Sequence, residues 1–102
     1  MQIIKTLSTQ IEEEIRDAKS YGLQAKAFKG EYPELASTYY KLAEEEMEHV
    51  NKLHEAVAVL IRQYRDKNGE PPANMMAVYN YLHERHIESA AEARSVLDMY
   101  KR

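Results

Sequence analysis

Two short clusters of glycine and proline interrupt an otherwise continuous helical pattern of apolar residues, and they constrain the fold more than any other feature. The clusters cover residues 29–33 and 67–72, and in each a glycine precedes a proline. Glycine favours the position just past a helix, and we expect Gly30 to take the left-handed conformation there, while proline suits the first turn of the next helix. The sequence therefore predicts an all-α chain with three long helices, at roughly 3–28, 33–66 and 73–100.

Short connections make neighbouring helices antiparallel, so the predicted architecture is an up-down-up bundle. A chain of 102 residues with 44% apolar content suits one domain, 1–102, with one modest core. The second helix carries additional apolar residues beside its main stripe, namely Tyr40, Ala43, Met47 and Ala58. This surplus indicates a subunit contact, and we expect a homodimer or higher homo-oligomer that completes the core.

The composition excludes several classes of site and partner. There is no cysteine, so disulfides, thiolate zinc sites and cysteine nucleophiles are excluded. The net charge is −3 and Lys and Arg are spread along the chain, which argues against nucleic acid as a partner. No run approaches the roughly 20 apolar residues that span a bilayer, and residues 1–5 do not begin a signal peptide. We expect no membrane partner and a cytoplasmic location.

Each predicted apolar stripe contains polar residues of the types that bind metals. Glu46 falls at the middle of the second stripe and His49 lies towards its edge; residues three apart on a helix are neighbours, so both can reach one ion. Glu14 falls inside the first stripe. His86 falls inside the third stripe, with His83 on its flank. These five residues are the candidate metal ligands.

Positions along the chain place the candidates at similar heights. Glu14 and Glu46 lie sixteen residues on either side of Gly30, so antiparallel helices make them level. His49 and His86 lie twenty and seventeen residues from Gly69 in the second connection, an offset of about 5 Å. The sequence therefore predicts one polar layer shared by the five candidates.

Each candidate alone has an ordinary explanation, because a core histidine is often only hydrogen-bonded and a glutamate at a stripe edge can reach solvent. Burying two carboxylates at one height is different, since each costs several kcal/mol unless it is paired. A bound divalent cation removes this penalty, and the layer therefore predicts a metal site. His54 is expected to face solvent and to lie outside it.

Residues 3–65 resemble the ferritin-like superfamily, the carboxylate-bridged iron proteins that include rubrerythrins and bacterioferritins. The matching features are Glu14 with Tyr21 seven positions later, and the Glu46-x-x-His49 motif after the turn. The resemblance implies that Glu14 is a ligand, that Glu46 bridges metals and that His49 is a terminal ligand. It implies iron as the metal, although two carboxylates with imidazoles also suit Mn(II) or Zn(II).

The chain departs from that family in its third helix. Family members usually have four helices and a second Glu with a second Glu-x-x-His motif, which together hold two irons. Here the third helix offers His83-Glu84-Arg85-His86, and Glu84 faces away from the stripe. Two arrangements follow: one metal held by two Glu and two or three His, or two chains that pool half-sites across a dimer interface, as encapsulated ferritins do.

Two classes of function are consistent with this sequence. The resemblance implies a metal-binding protein with ferroxidase or peroxide-scavenging activity at the carboxylate and histidine site. The alternative is a non-catalytic helical bundle, an interaction or structural module that keeps a vestigial polar layer in its core. The sequence leaves open whether the protein is an enzyme.

Overall fold

The computed structural model describes residues 2–102, and Met1 lies outside them. It contains three helices, α1 (Gln2–Phe28), α2 (Pro33–Asn68) and α3 (Ala73–Lys101), and residues 2–102 form no strand. The all-α prediction is confirmed, and every helix bound lies within two residues of the predicted one. The molecule is an elongated helical bundle of 56 × 18 × 18 Å. None of these helices is long and apolar enough to cross a membrane.

The two connections differ in their backbone conformation. In the first, the Tyr32 N–H donates to the Phe28 carbonyl at 2.8 Å, and α2 begins at Pro33. Within residues 2–102 a positive φ occurs at Gly69 alone, at 79°, so the expected left-handed conformation of Gly30 is wrong. The Gly69 N–H donates to the Arg65 carbonyl at 2.9 Å and ends α2. Only the second connection uses the conformational freedom that glycine provides.

Helix α1 lies at the centre of the bundle. It packs along both α2 and α3, whereas α2 and α3 contact each other much less. The most tightly packed positions are alanines, and five of them are fully buried: Ala18, Ala25, Ala36, Ala43 and Ala93. Ile11, Leu97, Val50 and Val57 are the largest side chains that are completely enclosed. Small residues let the helices approach closely, and the large ones fill the space between them.

The buried line of α1 shares Ile11, Ala18 and Ala25 with the predicted stripe, and its other members lie one position later than predicted. It comprises Ile4, Ser8, Ile11, Ile15, Ala18, Gly22 and Ala25. Glu14 lies beside this line and is half-buried. On α2 the same shift occurs, because Met47 is buried and Glu46 is half-buried next to it. The two carboxylates therefore lie at the edge of the core, and the expected central position of Glu46 was wrong.

Gly22 is the point at which α3 comes closest to α1. A Cβ atom at this position would lie 2.9 Å from Val96 Cγ1 and 3.4 Å from Leu97 Cδ2. The first distance is shorter than packed carbon atoms tolerate, and the branched Val96 side chain has little rotational freedom in a helix. The absence of a side chain at Gly22 therefore allows this close approach of α3 to α1.

We predict that Gly22→Ala destabilises the protein by about 1 kcal/mol. Alanine gains about 1 kcal/mol in helix propensity, but overpacking against Val96 costs about 1–3 kcal/mol. In a Val96→Ala background the overlap is relieved, and Gly22→Ala should become neutral or stabilising. Urea unfolding of the four proteins of this double-mutant cycle measures the difference. A stabilising effect of Gly22→Ala in the wild-type background contradicts the prediction.

Candidate metal centre

Glu14, Glu46 and His49 form a cluster between α1 and α2 that could hold a metal ion. One ligand atom from each residue lies within 4.8 Å of the other two. His49 Nδ1 is 3.5 Å from Glu14 Oε2 and 3.4 Å from Glu46 Oε1. The side chains of Glu14 and Glu46 are 28% and 18% exposed and that of His49 is 50% exposed, so an ion can reach the cluster from solvent.

The packing of α1 on α2 sets the height of these three residues. Glu46 and His49 are three residues apart and therefore lie on the same face of α2. Two helical turns away, the rings of Tyr21 and Tyr39 meet with their centroids 6.0 Å apart. Tyr21 follows Glu14 by seven residues and Tyr39 precedes Glu46 by seven, so the aromatic pair and the carboxylate pair share one register. The prediction that Glu14 and Glu46 lie at the same level along the helix axes agrees with this geometry.

The pKa of Glu46 is raised from 4.5 to about 7. Burial is the largest cause, because it disfavours the charged carboxylate. Glu14 adds to the increase through a hydrogen bond to the protonated form and through charge repulsion, and Asp17 adds a smaller repulsion. The charge of His49 acts in the opposite direction. The carboxyl group of Glu46 therefore gains or loses its proton near neutral pH. A cation that approaches this group favours the charged form and promotes loss of the proton.

Glu14 Oε2 is buried and accepts no well-formed hydrogen bond, and its contact with His49 Nδ1 is long at 3.5 Å. A buried carboxylate oxygen without a partner is unfavourable, and metal coordination is one way to satisfy it. Two carboxylates and one imidazole are donors that Fe(II), Mn(II) and Zn(II) all accept. Three protein ligands at an exposed site also leave coordination positions open. The residues of this cluster therefore fit a divalent transition metal.

The structure places the other two candidates, His83 and His86, in a different cluster. Their partner on α2 is His54: the His54 ring centroid is 5.2 Å from that of His83 and 5.9 Å from that of His86. His49 precedes His54 by five residues, about 7.5 Å along the helix axis. The structure therefore divides the predicted single layer into two clusters at different heights.

His54 was expected to face solvent, but it is half-buried against the two histidines of α3. A signal for this contact exists in the sequence. His54 lies fifteen residues before Gly69 and His83 lies fourteen after it, a closer match in height than that of His49 with His86. The predicted apolar stripe of α2 does not contain His54, because His54 lies on a second face of α2 that contacts α3.

A groove of about 410 Å³ lies outside the cluster of Glu14, Glu46 and His49 and borders the histidines through Tyr79, which stacks on His83. It is formed by the start of α1, the end of α2 and the first turns of α3, and its lining includes Ile4, Ile61, Pro71 and Leu82. None of its lining residues is acidic or a histidine. The groove offers apolar surface without groups for catalysis or metal binding.

Comparison with known proteins does not extend this picture: no family model, no curated protein and no solved structure matches the chain. The assignment of a function rests on the geometry and on the chemistry of the residues.

We predict that Glu46→Gln stabilises the metal-free protein at pH 8 by about 1–2 kcal/mol and has little effect at pH 4. The folded-state pKa lies above the unfolded value, so the wild-type protein loses stability as pH rises from about 4.5 through about 7. Glutamine removes this loss because it carries no charge. Urea unfolding with a chelator at both pH values measures it.

Glu48→Gln is the matched control, because Glu48 is exposed on the same helix. We expect no comparable pH-dependent gain from it. An equal effect of both substitutions would show that the gain comes from net charge and not from the burial of Glu46.

Proposed function

We propose that the protein is a metal-binding protein of the ferritin-like type, with one divalent transition metal held by Glu14, Glu46 and His49 in each chain. The observation that carries this proposal is the convergence of these three ligand atoms within 4.8 Å of one another. Glu14 Oε2 supports it, because this buried atom accepts no hydrogen bond and a cation would satisfy it. Iron is the proposed metal, and Mn(II) and Zn(II) suit the same donors.

An up-down-up order of the helices is the architecture that this proposal requires. Pairs between α1 and α2 support it, since residue numbers rise on α1 as they fall on α2: Glu14 lies near His49, and Tyr21 lies near Tyr39. In pairs between α1 and α3 the residue numbers of both helices rise together, as in Lys19 with Glu92 and Lys26 with Met99. Antiparallel α1 and α2 with parallel α1 and α3 produce such pairs.

The proposed reaction class is oxidation of Fe(II), as a ferroxidase or in the removal of peroxide. Bound iron would supply one-electron chemistry with dioxygen or peroxide. The protein's part is to hold the ion between two carboxylates, to leave one side open beside the exposed His49, and to accept or release a proton at Glu46 near neutral pH. These contributions concern binding, access and proton transfer.

We further propose that two chains associate across the face that carries the metal ligands. Residues at seven-residue intervals line this face on both helices, and all are half-buried: Leu7, Glu14, Tyr21 and Phe28 on α1, and Tyr39, Glu46, Leu53 and Leu60 on α2. Partial burial along a whole apolar row is typical of a surface that a partner covers. A second copy would bring two triads to one interface and provide ligands that a single chain lacks.

A non-catalytic bundle is the second candidate. The pKa of about 7 at Glu46 favours it, because a proton shared between Glu46 and Glu14 would stabilise the pair without a metal. In that case the cluster is a polar remnant within a structural or interaction module. Metal analysis separates the two candidates.

We predict that purified protein loaded anaerobically with Fe(II) retains the metal in stoichiometric amount, and that Glu46→Ala and His49→Ala abolish retention. Each substitution removes one of three ligands. Metal content after desalting, and consumption of Fe(II) in air, are the measurements. Glu45→Ala is the control, since Glu45 is exposed next to Glu46. Wild-type protein that folds but retains no metal excludes the metal-binding proposal.

We predict that Leu35→Glu converts a dimer to a monomer. Leu35 is 42% exposed and precedes Glu46 by eleven residues, three helical turns, so it lies on the same face. The substitution should leave the fold intact, because the side chain is not part of the core, but it places charge in the interface. Analytical ultracentrifugation at several concentrations measures the mass.

Val78→Glu is the matched control, because Val78 is 60% exposed on α3 and lines the apolar groove. We expect it to leave the dimer unchanged. A dimer that is lost in Val78→Glu and kept in Leu35→Glu would place the interface at the groove and contradict the proposed face.

A further inference from the structure

Three histidines form a cluster where α2 meets α3. His54 on α2 contacts both His83 and His86 on α3, with ring centroids 5.2 and 5.9 Å apart. His86 is 3% exposed, and His54 and His83 are half-buried. Since α2 and α3 otherwise contact each other little, these imidazoles are among the few side chains that bridge the two helices.

Each of the three imidazoles has one buried nitrogen without a hydrogen-bond partner. These atoms are Nε2 of His54, Nδ1 of His83 and Nε2 of His86. Buried nitrogens are usually hydrogen-bonded to protein or water. Together with Glu14 Oε2 they are the only such side-chain atoms in residues 2–102. Three partnerless nitrogens in one cluster require an explanation that core packing does not provide.

The ring separations are those that a shared metal ion requires. A zinc–nitrogen bond of about 2.0–2.1 Å places each imidazole centroid about 3.2 Å from the metal. At tetrahedral angles two such rings are about 5 Å apart, and wider angles increase that separation. The observed 5.2 and 5.9 Å match this range. The spacing of the His54 ring from each of the two α3 rings thus suits a shared ion.

The nitrogens themselves need a small rotation to converge. In residues 2–102 the group whose ligand atoms all lie within 4.8 Å of one another is Glu14, Glu46 and His49. The nitrogens of the three clustered histidines are therefore farther apart than this. Rotation of a histidine ring about Cβ–Cγ is a broad torsion of low cost, and it moves the nitrogens while the ring stays near its place. Tyr79 stacks on His83 with ring centroids 5.7 Å apart and an angle of 17° between the ring planes, and this contact orients the His83 ring. The shared site therefore requires rotation of His54 and His86 towards His83.

Burial favours the neutral imidazole of His54 and His86, and neutral imidazole is the form that binds metals. Burial lowers the pKa of His54, and the charges of His83 and His86 lower it further. Burial also lowers the pKa of His86, with His83 and Arg85 acting in the same direction and Glu12 on α1 acting against them. His54 and His86 therefore need to lose few protons when an ion binds near neutral pH.

We propose that His54, His83 and His86 form a second metal site, which binds a divalent ion of the Zn(II) class through three imidazole nitrogens. Imidazole donors without carboxylates suit Zn(II), Cu(II) or Ni(II), in contrast to the oxygen-rich Glu14 cluster. The ion joins α2 to α3 where their packing is sparse, so binding should raise the stability of the fold. This site does not depend on the proposed iron site.

Zn(II) titration of the full chain by calorimetry, with Co(II) absorption as a report of coordination geometry, tests this proposal. His54→Gln should weaken Zn(II) binding by at least about tenfold, because even loss of an outer-shell partner weakens metal sites by 10–100-fold. It should also abolish the tetrahedral Co(II) spectrum. Glu55→Gln is the matched control, because Glu55 is exposed next to His54 on α2 and belongs to neither cluster, and it should leave both signals in place.

Imidazole proton–nitrogen NMR of the wild-type protein identifies the bound atoms. We expect Zn(II) to shift Nε2 of His54, Nδ1 of His83 and Nε2 of His86. Zinc-induced shifts confined to His49, or unchanged Zn(II) affinity in folded His54→Gln, overturn the proposal. If His54→Gln is unfolded by circular dichroism, His83→Gln takes its place with the same expected loss. Failure here leaves iron retention by Glu46 and His49 unaffected, so the two proposals fail separately.

Discussion

The close contact of α1 with both neighbouring helices is the constraint on which the rest of the structure depends. Ala18, Gly22 and Ala25 form the contact line on α1, and the overlap that a Cβ at Gly22 would have with Val96 shows how little space remains. Packing at this distance sets the relative height of the helices, because side chains interlock only at particular positions. Glu14 faces Glu46 and His49 as a result of that register.

The same packing produces two polar clusters of different character. Between α1 and α2, two carboxylates and His49 lie at the edge of the core, with one open side. Between α2 and α3, where packing is sparse, three imidazoles bridge the gap and carry partnerless nitrogens. The first cluster is suited to an exchangeable ion that meets solvent molecules, and the second to an ion that links helices. The first cluster is rich in oxygen donors and the second has nitrogen donors, so the two clusters would favour different metals.

Several features were predictable because they depend on local sequence. Glycine and proline placed the four internal helix ends within two residues, and equal distances from the first turn placed Glu14 level with Glu46. The position of His86 was less predictable. The sparse contact between α2 and α3 leaves their relative height to a few side chains, and an error of five residues on α2 exchanges His49 for His54.

The sequence by itself determined the three helices, their lengths and the pairing of the first two polar positions, because helical periodicity and short turns act over a few residues. The tertiary structure alone decided which faces are buried. A helix packed between two neighbours buries a line between its two contact faces, so the deepest line of α1 passes beside Glu14 and reaches Gly22. It also decided that His54, His83 and His86 meet, since that contact joins two helices through side chains that no single periodic stripe contains.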